Sequence, residues 1–166
     1  MIGREDEIRE LRRRFAFEES EFVAVYGRRR VGETFLVNEV FNGNFAFHHA
    51  GMEKADKRTQ LESFREALRR QGLVKCKALH TWVQAFSALS DLLDSKGAGK
   101  KVVFLDELPW FDTPRSGFLR RIEQFRFATN TRKGILPTLV TTFGLTRNAN
   151  GAMIANVVTL DDLFRP

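Results

Sequence analysis

The stretch EFVAVYGRRRVGETFLVNEV, residues 21–40, decides the fold of this chain. Its apolar run ends at Gly27, and apolar periodicity resumes eight residues later, which is typical of a strand, a loop and a helix. Set against the phosphate-loop pattern G-x-x-x-x-G-K-[ST], the chain has Gly27, Gly32 and Thr34 in place. The lysine position holds Glu33. The sequence therefore predicts a phosphate loop in which an anion replaces the defining cation.

The chemistry of a phosphate loop shows why this exchange matters. Backbone N–H groups at the helix N-terminus bind phosphate oxygens, the lysine reaches the terminal phosphates, and the hydroxyl residue ligates Mg²⁺. With Glu33 an attraction becomes a repulsion, each of order ~4 kcal/mol for unit charges ~4 Å apart at an effective dielectric constant near ~20. We therefore expect weak nucleotide binding and still weaker hydrolysis.

A second informative stretch is KVVFLDELPW, residues 101–110, in which four apolar residues end at Asp106 and Glu107. In nucleotide-hydrolysing folds of this class, a strand beside the phosphate-loop strand ends in an acid that holds Mg²⁺, often through water. A following glutamate is placed to activate the attacking water. The alternative is a buried strand that ends in two solvated acids, and the sequence leaves it open.

The rest of the chain alternates between helical and extended patterns. Apolar residues at helical spacing predict helices over residues 5–17, 34–41, 54–72, 81–94 and 118–125. Strands are predicted over residues 22–26, 45–49 and 136–143, with a last apolar run over 152–160 and a loop over 109–117. The helices are predicted to bury Phe35, Leu36, Val40 and Phe41, then Leu61, Phe64 and Leu68, then Trp82, Phe86, Leu89 and Leu93. Adjacent His48 and His49 are expected on opposite faces of a strand, which favours packing over metal binding.

Composition bounds the class of protein. A chain of 166 residues, 43% hydrophobic and 29% charged, has the size and balance of one globular domain. A formal net charge of +6 permits a polyanionic partner such as a nucleotide or nucleic acid, but we favour the simpler explanation that surplus Lys and Arg keep the protein soluble. The first predicted helix also carries three adjacent arginines, Arg12, Arg13 and Arg14. They could contact phosphate, but we favour a solvated helix face.

The cysteine count and the hydropathy pattern indicate the compartment. Cys76 is the single cysteine, so no disulfide within the chain is possible, and a reducing compartment is favoured. The first residues, MIGREDEIRELRRRF, contain no apolar segment typical of a signal peptide, and nowhere do eighteen uncharged apolar residues run together. We predict a cytoplasmic protein that does not associate with membranes.

Several segments together resemble the archaeal-type P-loop ATPases of the AAA+-related STAND group. They are IGREDEIRELRRRF, GRRRVGET followed by FLVNEVF, FHHAG, KVVFLDELPW and FDTPRSGFLRRIEQF, and they extend from Ile2 to about Phe125. Family members carry GRRRVGKT in the loop, so Glu33 is a departure. The resemblance implies a three-layer α/β P-loop NTPase-like domain, incomplete relative to the family. Its mainly parallel sheet would be built from strands at Phe22, Phe45 and Val102.

The tail resembles a different part of the same proteins. The segment TRKGILPTLVTTFGLTRNANGAMIANVVTLDDLF is similar to their extreme C-terminal end, which belongs to a restriction-endonuclease-like domain. We therefore interpret the chain as an internally deleted family member. It would comprise a partial ATPase-like domain over residues 1–125 and a C-terminal remnant over residues 126–166. The strand near Leu139 is expected to join the main sheet or to pair with the segment at Ile154.

The resemblance also implies the site residues and the cofactors, which are ATP and Mg²⁺. The Walker A (nucleotide-binding) residues are Gly27, Arg28, Arg29, Arg30, Val31, Gly32, Glu33, Thr34 and Phe35. Thr34 and the Walker B acid Asp106 are the expected Mg²⁺ ligands, and Glu107 is the expected catalytic base.

Three hypotheses follow. The first is an ATP-binding protein with weak or lost hydrolase activity, whose partner is the nucleotide. The second is a non-catalytic module that binds nucleic acid or protein. The third is a non-functional gene remnant. The sequence specifies no oligomeric state.

Overall fold

A computed structural model of the chain describes residues 5–16, 21–25, 33–111, 136–141 and 156–159. The helices are α1 (Glu5–Ala16), α2 (Glu33–Phe41), α3 (Lys57–Arg70), α4 (Trp82–Ser95) and α5 (Leu108–Phe111). The strands are β1 (Glu21–Val25), β2 (Phe47–Ala50), β3 (Val103–Asp106), β4 (Leu136–Thr141) and β5 (Asn156–Thr159). The predicted mixed α/β class is confirmed. The helix predicted over residues 118–125 lies outside the described residues.

The chain divides into two compact units. One comprises Met1–Gly43 and Thr131–Pro166, and the other comprises Asn44–Asn130. Among the described elements, the first unit contains α1, β1, α2, β4 and β5, and the second contains β2, α3, α4, β3 and α5. The domain boundary after residue 125 stays a prediction. Strand β1 lies before this boundary and β4 after it, and the two strands pair with each other.

The sheet of the first unit is parallel and has the order β1-β4-β5. Strand β4 lies in the middle, with Ala24 opposite Leu139 on one side and Val157 opposite Leu139 on the other. The strand predicted near Leu139 therefore makes both of the pairings that the sequence left as alternatives. Pro137 is the second residue of β4, near the strand end where a missing N–H is best tolerated.

The second unit contains a parallel pair, β2 with β3, in the register Phe47↔Val103 to Ala50↔Asp106. The prediction of parallel strands is thus confirmed. The prediction that the strands at Phe22, Phe45 and Val102 form one sheet is not: among the described strands, β1 pairs with β4, and β2 and β3 form a separate sheet. Parallel strands that are buried on both faces are continuous apolar runs. Such runs carry little pattern that could specify which strand lies beside which.

The core of the second unit is aromatic. Helices α3 and α4 pack on each other, and α3 contacts β2. The predicted stripes are confirmed except at Leu93, which is only partly buried while Leu92 is buried. Phe64 and Trp82 are fully buried and meet edge to face with ring centroids 5.6 Å apart. The buried cluster consists of Phe47, Leu61, Phe64, Leu68, Cys76, Trp82, Ala85, Phe86, Leu89, Leu92 and Phe111.

Side-chain caps set the ends of these helices. Asp56 accepts a hydrogen bond of 2.8 Å from the N–H of Thr59, so α3 begins later than the predicted residue 54. Thr81 and Gln84 form a capping box that begins α4. The predicted glycine stop after α3 is confirmed by Gly72, whose φ is +129°.

In the first unit, Leu11 of α1 and Leu36 and Val37 of α2 are buried. Phe35 was predicted to be buried, but 59% of it is exposed. The prediction was wrong because the apolar stripe of α2 passes through Leu36 and Val37, and the side chain of Phe35 lies about 100° around the helix from Leu36.

Candidate functional site

The candidate acids lie at the carboxyl end of the β2–β3 pair. Asp106 is the last residue of β3 and is half-buried. Its carbonyl oxygen accepts a hydrogen bond of 2.9 Å from the N–H of Gly51, the residue that follows β2. Its Oδ1 accepts a hydrogen bond, also of 2.9 Å, from the N–H of Glu107. The Asp106 carboxylate is therefore oriented by the backbone of the adjacent acid.

Glu107 is exposed and has a left-handed backbone with φ of 52°. This conformation costs a residue with a Cβ roughly 1–2 kcal/mol. The N–H of Trp110 donates to the carbonyl of Glu107 over 3.0 Å and closes the turn that α5 forms. The loop predicted from residue 109 was wrong over α5, because a proline such as Pro109 is tolerated in the first turn of a helix.

Gly51 lies against this turn so closely that only glycine fits. A Cβ at this position would lie 2.7 Å from the carbonyl oxygen of Glu107 and 3.0 Å from the Cβ of Trp110. The FHHAG segment contributes to the family resemblance, but the resemblance assigns no role to Gly51. The sequence does contain a signal for this role. Gly51 directly follows one predicted strand, and a second predicted strand ends in acids; a glycine at a strand end often marks a place where another backbone approaches closely.

The two adjacent histidines face opposite sides of β2, as predicted. His48 is exposed and stacks on Phe104 with ring centroids 4.8 Å apart. His49 is buried and meets Phe64 and Phe111 edge to face at 5.4 and 5.6 Å. Its Nε2 is buried and has no hydrogen-bond partner among the residues that the structure describes. Burial, with a smaller effect from His48, lowers the pKa of His49 to about 4, so its imidazole is neutral near neutral pH.

The phosphate-loop residues belong to the first unit. Residues 27–32 lie outside the described part of the chain. Helix α2 begins at Glu33, one residue before its predicted start. Thr34 and Phe35 follow in its first turn and are both exposed. The helix thus begins where the loop pattern requires a helix N-terminus.

Of the predicted site residues, the structure brings Asp106 and Glu107 together in the second unit, while Thr34 and Phe35 lie in the first. In the described ranges from residue 5 to residue 159, no group of three or more His, Cys, Asp or Glu side chains could hold a metal ion. A Mg²⁺ ion that is bound by one or two protein oxygens, phosphates and water does not require such a group.

The basic residues of α1 are engaged with an acid of the same helix. Arg13 and Arg14 donate to the carboxylate of Glu10 over 2.9 and 2.6 Å. The hydrogen bond from Arg13 is the largest influence on Glu10 and holds the pKa of its carboxyl below the ordinary value. This arrangement favours a solvated helix face over a phosphate contact.

Two further features bear on other classes of site. Burial raises the pKa of the Cys76 thiol, which favours its protonated form and makes it a poor nucleophile.

Among the helices that the structure describes, none is long and apolar enough to cross a membrane.

No protein-family model matches the chain, and neither a curated protein nor a solved structure is similar to it. Its function has to be argued from its own residues and their geometry.

Proposed function

We propose that the chain is an ATP-binding protein of the archaeal-type P-loop ATPase family, with a three-layer P-loop fold. Its Mg²⁺-dependent hydrolysis is weak or lost because Glu33 occupies the Walker A lysine position. The observation that carries the proposal is the acidic pair at the end of β3. There the Asp106 carboxylate is oriented by the Glu107 N–H, at the carboxyl edge of a parallel strand pair. In open parallel α/β sheets, ligands bind outside this edge.

The donor set suits the proposed cofactor. Mg²⁺ prefers oxygen ligands and usually keeps several waters. In the second unit, the half-buried carboxylate of Asp106 is a ligand of that type. In the first unit, the hydroxyl group of Thr34, in the first turn of α2, is exposed and stays a predicted ligand. When bound, Mg²⁺ would neutralise charge on the phosphates of ATP. Glu107 is exposed, so its carboxylate can accept a proton from a water molecule that attacks the terminal phosphate.

Glu33 opposes binding in two ways. As the first residue of α2, it occupies the helix end where the backbone dipole favours a negative charge. A carboxylate at that end competes with phosphate for the same N–H groups and also repels the phosphate directly. The lysine that it replaces would have attracted the terminal phosphates.

The test is calorimetric titration of Mg-ATP into the full chain and into Glu33→Lys. Half of the ~4 kcal/mol repulsion estimated for one close charge pair, together with a similar gain from lysine, is ~4 kcal/mol and corresponds to an affinity increase of roughly 10³-fold. Glu39→Lys is the matched control, because Glu39 is an exposed residue of the same helix and undergoes the same charge change. We expect Glu39→Lys to bind like the parent chain.

A folded Glu33→Lys variant that binds no Mg-ATP would contradict the proposal. Equal binding by the parent chain and Glu33→Lys would show that the loop backbone and Thr34 suffice, and would refute the charge argument. In the Glu33→Lys background, Glu107→Gln should lower hydrolysis by about 10²-fold or more while ATP affinity is kept, because general-base catalysis contributes that much.

A further inference from the structure

Gln60 is a polar side chain on the buried face of α3. Only 2% of the residue is exposed, and it lies four residues before Phe64, which in turn lies four before Leu68. It therefore belongs to the apolar stripe of the helix. A buried amide is costly unless its hydrogen bonds are made, so the partners of Gln60 identify its role.

The partners are backbone groups from two segments. Gln60 Nε2 donates to the carbonyl of Met52 over 2.7 Å and to the carbonyl of Trp110 over 3.0 Å. Its Oε1 accepts from the N–H of Met52 over 3.1 Å. One side chain thus joins the segment after β2 to α5, the turn that follows the acidic pair.

The segments that Gln60 joins also contact Glu107 directly, through Trp110 and Gly51. The N–H of Trp110 donates to the Glu107 carbonyl, and Gly51 both donates to Asp106 and packs against that same Glu107 carbonyl. The left-handed backbone of Glu107 is thus bordered on one side by Gly51 and on the other by a helical turn that Gln60 holds.

We propose that Gln60 is a positioning residue that keeps Glu107 in its left-handed conformation and so directs its carboxylate at the attacking water. This inference rests on the proposed function. Without the Gln60 hydrogen bonds, α5 loses a tether to α3, and Glu107 can relax toward the more favourable right-handed region.

Gln71, the C-cap residue of the same helix, provides a matched control. Its Oε1 accepts from the N–H of His48 and its Nε2 donates to the carbonyl of His48, both over 2.8 Å. It therefore also binds the backbone of β2, but at the start of the strand, and it makes no hydrogen bond to residues 106–110.

The experiment compares Gln60→Met and Gln71→Met in the full-length Glu33→Lys chain. For Gln60→Met we expect amide exchange at Trp110 to become faster, with a fall in kcat of about 10-fold or more and little change in KM, because small misplacements of catalytic groups cost that much. Gln71→Met should leave amide exchange at Trp110, kcat and KM unchanged. If Gln60→Met does not fold, Gln60→Glu replaces it, since it keeps the Oε1 acceptor and, even when protonated, can donate to only one of the two carbonyls.

A double variant separates positioning from general structural damage. If Gln60 acts through Glu107, adding Gln60→Met to Glu107→Gln lowers kcat no further. A full additional loss in the double variant would overturn the inference, as would unchanged exchange at Trp110. If Glu33→Lys binds Mg-ATP but does not hydrolyse it, the proposed catalytic role of Glu107 fails while the proposed ATP binding stands, and the role of Gln60 in ordering Trp110 is then decided by the exchange rates alone. If folded Glu33→Lys binds no Mg-ATP, the proposed function itself fails.

Discussion

The two ends of the β2–β3 pair are built differently. At the start, regular backbone pairing predominates: the N–H of Ala46 donates to Val102 over 2.8 Å, and the Gln71 side chain adds two hydrogen bonds near the surface. At the carboxyl end, Glu107 has a left-handed backbone, Gly51 packs on its carbonyl, and the buried Gln60 reaches the following turn.

The difference indicates where strain is stored. Unfavourable backbone conformations persist only where the surroundings hold them, and they concentrate at functional sites. Here the unfavourable conformation lies in the residue proposed as the catalytic base. At the starting end, residues 44–48 and 101–104 have no positive φ; the nearest such non-glycine residue is Asn42, with φ of 51°, in the turn after α2.

Gly51→Ala should destabilise the chain by about 3 kcal/mol, because the new Cβ would overlap a backbone oxygen that cannot move without displacing Glu107. Urea denaturation measures this loss. Gly97→Ala is the control: its Cβ would meet nothing within 4 Å, so only the cost of its left-handed backbone, about 1 kcal/mol, is expected. Equal losses in the two variants would argue against a tight contact at Gly51.

The free energy of unfolding should fall on acidification because of His49. The pKa of His49 is about 4 in the folded chain, against an ordinary value of 6.5. Between these values the unfolded state binds more protons than the folded state, so stability is present above pH 6.5 and is lost as pH falls toward 4. We expect roughly 2 kcal/mol, after allowance for partial screening by solvent.

The measurement for His49 is urea denaturation at about pH 7 and about pH 4.5, with His49→Phe as the test variant. Phenylalanine fits an aromatic environment and removes the titrating group, so the pH-dependent loss should shrink by the amount that His49 contributes. The exposed residue His80 provides the control variant, His80→Asn, which should keep the full loss. An unchanged loss in His49→Phe would show that other groups cause it.

Glu107→Gly should stabilise the chain by about 1 kcal/mol, since glycine adopts a positive φ without strain. In the Glu33→Lys background the same change should abolish hydrolysis. Lys54→Gly is the control, because Lys54 has a similar φ of 55° outside the acidic pair. It should give a similar stabilisation and leave hydrolysis unchanged. Destabilisation by Glu107→Gly would contradict the contrast between the two ends.

Much of the fold was predictable because it depends on local patterns. The stripes of α3 and α4, the opposite faces of His48 and His49, and the acids at the end of β3 all follow from helical or strand periodicity. Errors arose where periodicity is weak. Phe35 sits at the border of the α2 stripe, and Pro109 resembles a loop residue although it occupies a helical turn.

The candidate site was predictable only in part. Asp106 and Glu107 were recognisable from their position after an apolar run. Gln60 was missed because a glutamine on an apolar stripe can also be a solvated residue at the edge of that stripe. Only its hydrogen bonds to Met52 and Trp110 reveal its role, and Trp110 is fifty residues away in sequence.

Local patterns in the sequence specify most of the described element types, the buried faces of α3 and α4 and the acidic pair, because each depends on residues within a few positions of one another. The tertiary structure alone decided that β1 pairs with β4, that Gly51 touches Glu107 and that Gln60 reaches Trp110. These are contacts between distant segments, and their energies depend on close packing and hydrogen-bond geometry, neither of which is encoded in a local pattern.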